Sequence, residues 1–328
     1  MSSSITSLIT GTGSYLPEKV MTNDDLAKVM ETSDDWIKKR TGISQRHIAA
    51  EDQKTSDLAA AAGRQALEAA GLSVEDVEAI VIATTTPDDT FPATAASVQA
   101  KLGAVNAFAF DVQAVCAGFV YALDVADALI KSQKAKSVLV IGAETFTRIL
   151  DWEDRTTAVL FGDGAGAVVL EASHDTPDWG ILSSSLYTDG RFRDLLYVDG
   201  GVSSTGEVGH VRMKGNEVFR HAVEKLSSSL DAALKRAGLD DTAIDWLVPH
   251  QANVRIIDSM QKKLGMPTEK VVRTVHDHAN TSAASIPLAL NAAVSDGRIQ
   301  PGHVIAFEAI GGGLTWGASI ARFGRPVR

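Results

Sequence analysis

The sequence predicts an α/β protein built from two similar halves packed face to face, and three observations carry that expectation. Segments of helical pattern that end at glycine alternate with short apolar runs of strand length. The same order recurs in the second half of the chain. The composition, 45% hydrophobic over 328 residues with 9 prolines and no low-complexity tract, is ample for a large core and excludes disorder as the main state.

The elements follow in order. Residues 64–72 read onto residues 231–239, so that Leu67 meets Leu234 and Gly71 meets Gly238. Without a gap, the apolar run 77–82 falls on 244–249, giving helix, glycine stop and buried strand in both halves. After five extra residues in the first half, residues 98–103 match 260–265, again a helix closed by glycine. A short strand comes next (107–112; 271–275), then a helix (118–130; 285–294), then a further strand (137–141; 303–308). Each half closes on a glycine-rich hairpin, 161–170 and 311–323. Such alternation implies mixed sheets covered by helices. The boundary falls between Glu171 and Trp179, dividing the chain into residues 1–175 and 176–328.

Charge and cysteine usage narrow the function classes. Lys+Arg 31 against Asp+Glu 41 leaves a net charge of −10, which argues against nucleic acid as a bulk partner while permitting a local basic face for a phosphate or an acidic protein. A single cysteine, Cys116, excludes an intramolecular disulfide and a cysteine-based metal cluster. The first residues lack a basic leader region, and no apolar run reaches the roughly 18 residues of a membrane span, so the expected setting is soluble and cytoplasmic.

The repeat places three polar residues at strand-to-helix corners. Cys116 stands just before an apolar helix, Asn280 is expected at the same corner of the second half, and His250 ends the strand 246–250. A two-fold relation between halves would bring these corners together. A thiol at a helix N-terminus has its thiolate favoured by the macrodipole and free N–H groups, whereas packing alone would make Cys116 a small hydrophobe. His250 can equally be a satisfied core histidine and Asn280 an N-cap, but capping and packing do not explain all three at once. The glycines 311–313 could offer an N–H to an oxyanion or simply turn a hairpin. Residues 162–166 have the look of a nucleotide loop, yet lack the Walker lysine and the strand-first dinucleotide spacing.

The motifs at 115–119, 249–253, 280–285 and 311–317 together resemble the signatures of β-ketoacyl-acyl-carrier-protein synthase III, the initiating condensing enzyme of bacterial type II fatty-acid synthesis. The similarity runs from residues 11–17 to residues 321–323. It implies a thiolase-like fold of two duplicated halves in five αβαβα layers, and a Cys116–His250–Asn280 triad. Elongating condensing enzymes pair the cysteine with two histidines, and thiolases need a second active-site cysteine that this chain does not have. The stretch 32–43 resembles the coenzyme-A-binding segment of the synthase III branch.

By the same resemblance, Trp36 would stack on the adenine with Arg155 on its other side, Arg40 and Thr32 would contact the nucleotide end, and Gly215, Phe219 and Asn253 would line the pantetheine tunnel. An indole and a guanidinium are flat, polarisable faces for a base, and cations suit phosphates. Cys116 would attack a short acyl-CoA to give an acyl-enzyme, and malonyl-acyl carrier protein would then enter the same tunnel. His250 and Asn280 would donate hydrogen bonds to the enolate, while the N–H groups of Cys116 and Gly312 hold the tetrahedral oxyanion. Neither a metal nor a redox cofactor is needed.

The acidic carrier requires a local basic face. On the helix 252–264, Arg255, Lys262 and Lys263 fall at i, i+7 and i+8, hence on one side, and the family docks its carrier here, with Arg220 alongside. Ile310 and Leu314 stand where phenylalanine is common near the acyl pocket, and Ala279 where glycine commonly precedes the asparagine. Phe91 would cross a homodimer interface to floor the partner's pocket. Two other readings remain: a thiolase-fold acyltransferase or quinolone- or polyketide-type synthase with a different acceptor, and a non-catalytic acyl-CoA or carrier-binding scaffold.

Overall fold

A computed structural model describes residues 5–326; residues 1–4, on which the reading of the leader rests, and 327–328 lie outside it. The first half contains β1 (Thr6–Tyr15), β2 (Lys19–Thr22), α1 (Asn23–Leu26), α2 (Asp34–Thr41), β3 (Gln45–Ile48), α3 (Thr55–Ala70), β4 (Ala79–Ala83), α4 (Thr94–Leu102), β5 (Phe108–Val112), α5 (Gly118–Lys131), β6 (Ser137–Glu144), α6 (Arg155–Ala158) and β7 (Gly164–Ser173). The second contains β8 (Gly180–Thr188), β9 (Leu196–Val198), β10 (Val211–Met213), α7 (Gly215–Ala237), β11 (Trp246–Pro249), α8 (Val254–Leu264), α9 (Val275–His278), α10 (Ser285–Ser295), β12 (Val304–Gly311) and β13 (Thr315–Arg322).

The duplication is visible in the strand order. The first sheet runs β1-β7-β6-β4-β5 and the second β8-β13-β12-β11, with parallel pairs at β4–β5, β4–β6 and β11–β12 and antiparallel pairs elsewhere. The helices α3, α4 and α5 recur as α7, α8 and α10. All four outer helices of this set stop at glycines in the left-handed region, Gly71, Gly103, Gly238 and Gly265, where a side chain would be strained.

Alternation along each strand sorts side chains into layers. On β6, Val138 and Val140 face inward onto α5 and α10, while Leu139 and Ile141 face outward onto α3 and α4. On β12, Ile305, Phe307 and Ala309 share the inner cluster, and Val304, Ala306 and Ile310 join the outer one beneath α7 and α8. The result is five layers, with α5 and α10 as the filling between two sheets. Among the described residues no helix is long and apolar enough to cross a membrane.

Two sequence expectations change. The strand expected over 271–275 is a single parallel bridge of Val271 to Leu247, because the chain turns at once into α9. The first half does not close on a tight hairpin: the chain between β6 and β7 makes a long excursion through a short helical turn and α6. The glycines at 162–166 lead into β7 rather than forming a nucleotide loop, and a Cβ on Gly166 would lie 2.5 Å from the Leu288 backbone nitrogen.

Candidate active site

Cys116 occupies a one-turn helix, Val115–Ala117, that feeds α5. Its counterpart in the second half is Ser282–Ala284, which feeds α10. Val115 and Ser282 both adopt a φ of 49°, an uncommon conformation for residues with a side chain and a genuine outlier for a β-branched valine. Cys116 therefore corresponds to Ala283, and Asn280 lies just upstream of the matched corner rather than on it.

The six residues 280–285 nevertheless hold the site together. Asn280 is fixed by its N–H to the Leu160 carbonyl at 2.9 Å and by the Gly162 N–H to its own carbonyl at 3.0 Å. Its side-chain Oδ1 accepts from the Ser282 N–H at 2.9 Å, which leaves the Nδ2 amide to donate elsewhere. His250 Nδ1 lies 2.6 Å from the Ser285 hydroxyl, and that oxygen also accepts the Gln251 N–H at 3.2 Å. The hydroxyl proton is then directed at Nδ1, so the imidazole proton is assigned to Nε2. The Ser282 hydroxyl lies against both the Cys116 thiol and the Glu144 carboxyl, without good alignment to either.

All three candidates are nearly sealed, at 4% exposure for Cys116, 5% for His250 and 6% for Asn280. Burial pushes His250 down to about 3, so it is neutral. Burial pushes the Cys116 thiol up to about 12; the Ser282 hydroxyl opposes this and the Glu144 charge adds to it. The expected helix-terminus stabilisation of the thiolate is thus outweighed by desolvation.

Gly311 ends β12 and Gly312 opens the following turn, directly against the cysteine turn. A Cβ on Gly311 would stand 2.6 Å from the Cys116 nitrogen, and one on Gly312 would stand 2.7 Å from the Leu196 carbonyl oxygen. Thr315 fastens the hairpin to the turn by donating to the Ala114 carbonyl at 2.9 Å and the Gly312 carbonyl at 3.0 Å. Among the described residues no backbone–backbone hydrogen bond outside the helices and strands uses the N–H of Cys116 or Gly312. Ile310 and Leu314 flank this hairpin, both buried in the outer cluster of the second half.

The residues expected at the nucleotide end form a rim. Ser33 caps α2 through the Trp36 N–H at 3.2 Å, Trp36 is half-buried, and the guanidiniums of Arg40 and Arg155 lie 4.2 Å and 5.1 Å from its ring centre. Arg155 also donates to the Glu31 carbonyl at 2.6 Å, and the neighbouring Thr32 hydroxyl is buried without a partner. Asn253 is the N-cap of α8, its Oδ1 accepting the Ile256 N–H at 3.1 Å. Gly215, Phe219 and Arg220 lie exposed on the first turns of α7. Arg255, Lys262 and Lys263 are exposed on α8, and Phe91 is 83% exposed.

Several contributors were not legible as motifs. Fully buried Arg46 ties the rim to the floor by donating to Asn23 Oδ1 and to the Val159 carbonyl, both at 2.8 Å, next to the Leu160 carbonyl that holds Asn280. The last turn of α2, Lys38 to Arg40, meets α8 because Gly42 packs on Val254 and Arg255 reaches the Lys39 carbonyl. Ser282 and Ser285 lie inside the 280–285 motif without a role being legible there, and Glu144 carries no sequence signal.

With this geometry in place, comparison with known proteins is direct. Residues 110–190 match the family described as 3-oxoacyl-[acyl-carrier-protein] synthase III, and residues 234–323 match its C-terminal family. The chain is 62% identical to a β-ketoacyl-[acyl-carrier-protein] synthase III of Erythrobacter litoralis over 97% of this chain and 100% of the relative. It is 61% identical to one of Rhodospirillum centenum, covering 97% and 99%. The crystal structure of 3-oxoacyl-[acyl-carrier-protein] synthase III from Aquifex aeolicus superposes with a TM-score of 0.92 at 48% identity, covering 97% of this chain and 100% of that one.

Proposed function

Because the chain belongs to the β-ketoacyl-acyl-carrier-protein synthase III family, we propose that its buried corner carries out the initiating condensation through an acyl-cysteine. The enzyme is an acyltransferase that joins a short acyl-CoA to malonyl-acyl carrier protein, giving 3-oxoacyl-carrier, CoA and CO₂. Acetyl-CoA is the primer assigned here, and the cytoplasm the setting. The observation that carries the reading is the attachment of Cys116, His250 and Asn280 to one buried turn, 280–285.

In this scheme Cys116 attacks the thioester carbonyl and CoA leaves. The N–H groups of Cys116 and Gly312 hold the oxyanion, a role that contributes about 2.7–4 kcal/mol per donor. Malonyl-carrier then binds, and as CO₂ departs, Nε2 of neutral His250 and Nδ2 of Asn280 donate to the enolate oxygen. A neutral imidazole suits this step, because it donates without needing to be protonated first. The scheme requires neither metal nor redox cofactor.

The rim serves the two substrates in turn. Trp36, Arg40, Arg155 and Thr32 take the nucleotide, Gly215, Phe219 and Asn253 flank the pantetheine, and Arg220, Arg255, Lys262 and Lys263 meet the acidic carrier. A homodimer is supported by β5, an edge strand of the first sheet, which exposes Phe108 at 45%, and by exposed Phe91 on the loop before α4.

The test is release of labelled CO₂ from malonyl-carrier. It is expected only when acyl-CoA and malonyl-carrier are both present and Cys116 is intact. Acyl transfer to another acceptor without CO₂ release would instead support the acyltransferase or quinolone-type alternative.

A further inference from the structure

The nucleophile has a proton to lose and no evident place to put it. His250 is too weak a base, since burial has removed its proton affinity, and its Nδ1 faces Ser285. Three other buried acids lie near this end of the sheets. Asp163, next to Gly162, has both carboxyl oxygens engaged by the Ala49 and Thr147 N–H groups and the Thr147 hydroxyl, and strand register separates the other two. Glu308 shares the outward parity of Ala306 and Ile310 on β12, and so faces away from the central layer. Glu144 shares the inward parity of Val138, Val140 and Gly142 on β6. Gly142 is pressed so tightly on Ala283 that a Cβ would collide with its carbonyl, which places Glu144 against the turn containing Ser282.

The carboxyl of Glu144 is asymmetrically held. Oε2 accepts from the Thr86 hydroxyl at 2.6 Å and from the N–H groups of Thr85 and Thr86 at 3.1 Å each, with the Thr84 hydroxyl at 3.4 Å. Oε1 is buried and has no such partner, and neither has the Ser282 hydroxyl beside it. Four donors on Oε2, against only the poorly aligned Ser282 hydroxyl and Ala283 N–H for the rest of the carboxyl, orient the group and leave Oε1 available. Thr85 and Thr86 also line a surface cavity of about 620 Å³, so the group is close to solvent on its far side.

We infer that Ser282 and Glu144 form a proton relay behind Cys116. As sulfur bonds to the thioester carbon, the Cys116 S–H bond breaks and its proton moves to Ser282 Oγ, while the hydroxyl's own proton moves to Glu144 Oε1. When the tetrahedral intermediate collapses, the thioester C–S bond breaks, the departing CoA thiolate takes a proton from Ser282 Oγ, and Ser282 recovers one from Glu144 Oε1. Ser282 ends unchanged, Glu144 returns to carboxylate, and no outside acid or base is consumed. Burial raises Glu144 to about 7, opposed by the threonine donors, which matches the proton affinity useful to a general base at neutral pH. The inference rests on the acyl-cysteine reading above.

Single-turnover acylation by acetyl-CoA, followed by intact mass at pH 5.5 to 9, tests it. In the wild type the rate should rise with pH through a midpoint near 7, because only the Glu144 carboxylate can accept. Glu144→Gln keeps the shape and the acceptor for the threonines; it should slow acylation about 10²-fold or more and lose that midpoint. Ser282→Ala should show a smaller loss of the same kind, Glu144→Asp should keep the midpoint, and Glu308→Gln should leave it in place. Once formed, the Glu144→Gln acyl-enzyme should discharge onto malonyl-carrier at a near wild-type rate, which a merely misfolded site would not. If Glu144→Gln acylates as fast as wild type with the same pH dependence, the relay is wrong. If wild type takes up no acyl group on Cys116, it is the acyl-cysteine reading that fails.

Discussion

The floor of the site and its mouth use charge in opposite ways. At the floor, Cys116, His250, Asn280 and Glu144 sit in the interior, and desolvation pushes every titratable group among them toward its neutral form. At the mouth, Arg40, Arg220, Arg255, Lys262 and Lys263 stand in water on helix surfaces. Chemistry on a thioester and an enolate needs neutral donors aimed without competition from water, whereas recognition of phosphates and an acidic carrier needs fixed cations that water screens. Changes at the floor should therefore be large and insensitive to salt, and changes at the mouth modest and salt-dependent.

The largest expected effects lie at the floor. Cys116→Ala should lower condensation by more than about 10⁴-fold, since nothing else can carry the acyl group. His250→Ala and Asn280→Ala should each cost about 10²–10³-fold in the second half-reaction while sparing acyl transfer from CoA, as measured by separate assays of the two stages. Equal loss in both stages would contradict the assignment of these donors to the enolate.

Glu308, buried on the outward face of β12 away from the site, gives the interior a stability signature. Burial raises its carboxyl to about 8 from 4.5, so the unfolded chain loses this proton as pH rises above 4.5 while the folded chain keeps it until about 8. Raising the pH through that window favours unfolding, by on the order of 5 kcal/mol in full. Urea unfolding at pH 5.5 and 8.5 should show Glu308→Gln losing less stability than wild type across the interval.

The mouth should respond more mildly. Trp36→Ala removes the ring that Arg40 and Arg155 cover and should raise the KM for acyl-CoA about tenfold with little change in kcat. Reversal of Lys262 and Lys263 to Glu should weaken use of malonyl-carrier several-fold at low salt, leave acylation by CoA intact, and lose most of its effect at high salt. Persistence of the defect in high salt would erase the distinction between mouth and floor.

The smallest effect concerns backbone strain. Ala279 adopts φ 59° and ψ −161°, a region suited to glycine, and is completely buried before Asn280. Ala279→Gly should stabilise the fold by about 1 kcal/mol, the relief of strain exceeding the added freedom of the unfolded chain. Thermal unfolding with retained condensation activity checks it.

Much of the fold was legible because its signals are local. A helix closed by Gly71 or Gly238 and followed by an apolar run needs no tertiary knowledge, and the pairs α3/α7, β4/β11 and α5/α10 follow from it. What was not legible depended on register and approach. The run ending at Glu144 looks like any buried strand, and only its inward parity places the acid against Ser282. The correspondence of Cys116 with Ala283, not Asn280, shows only in the shared backbone of Val115 and Ser282. The junction of α2 with α8, which makes one basic rim of two helices, is set by contact of Gly42 with Val254. The depth of burial that raises the Cys116 thiol is likewise a property of the packed layers, whereas the helix start that favours its thiolate can be read from a motif.

The covalent intermediate on the floor is tested most directly by intact-protein mass after mixing with acetyl-CoA and then malonyl-acyl carrier protein. The expected result is one acetyl group on the wild type, none on Cys116→Ala, and loss of the adduct only when malonyl-carrier is added. An unmodified wild type, or an adduct that persists in Cys116→Ala, would contradict the acyl-cysteine mechanism.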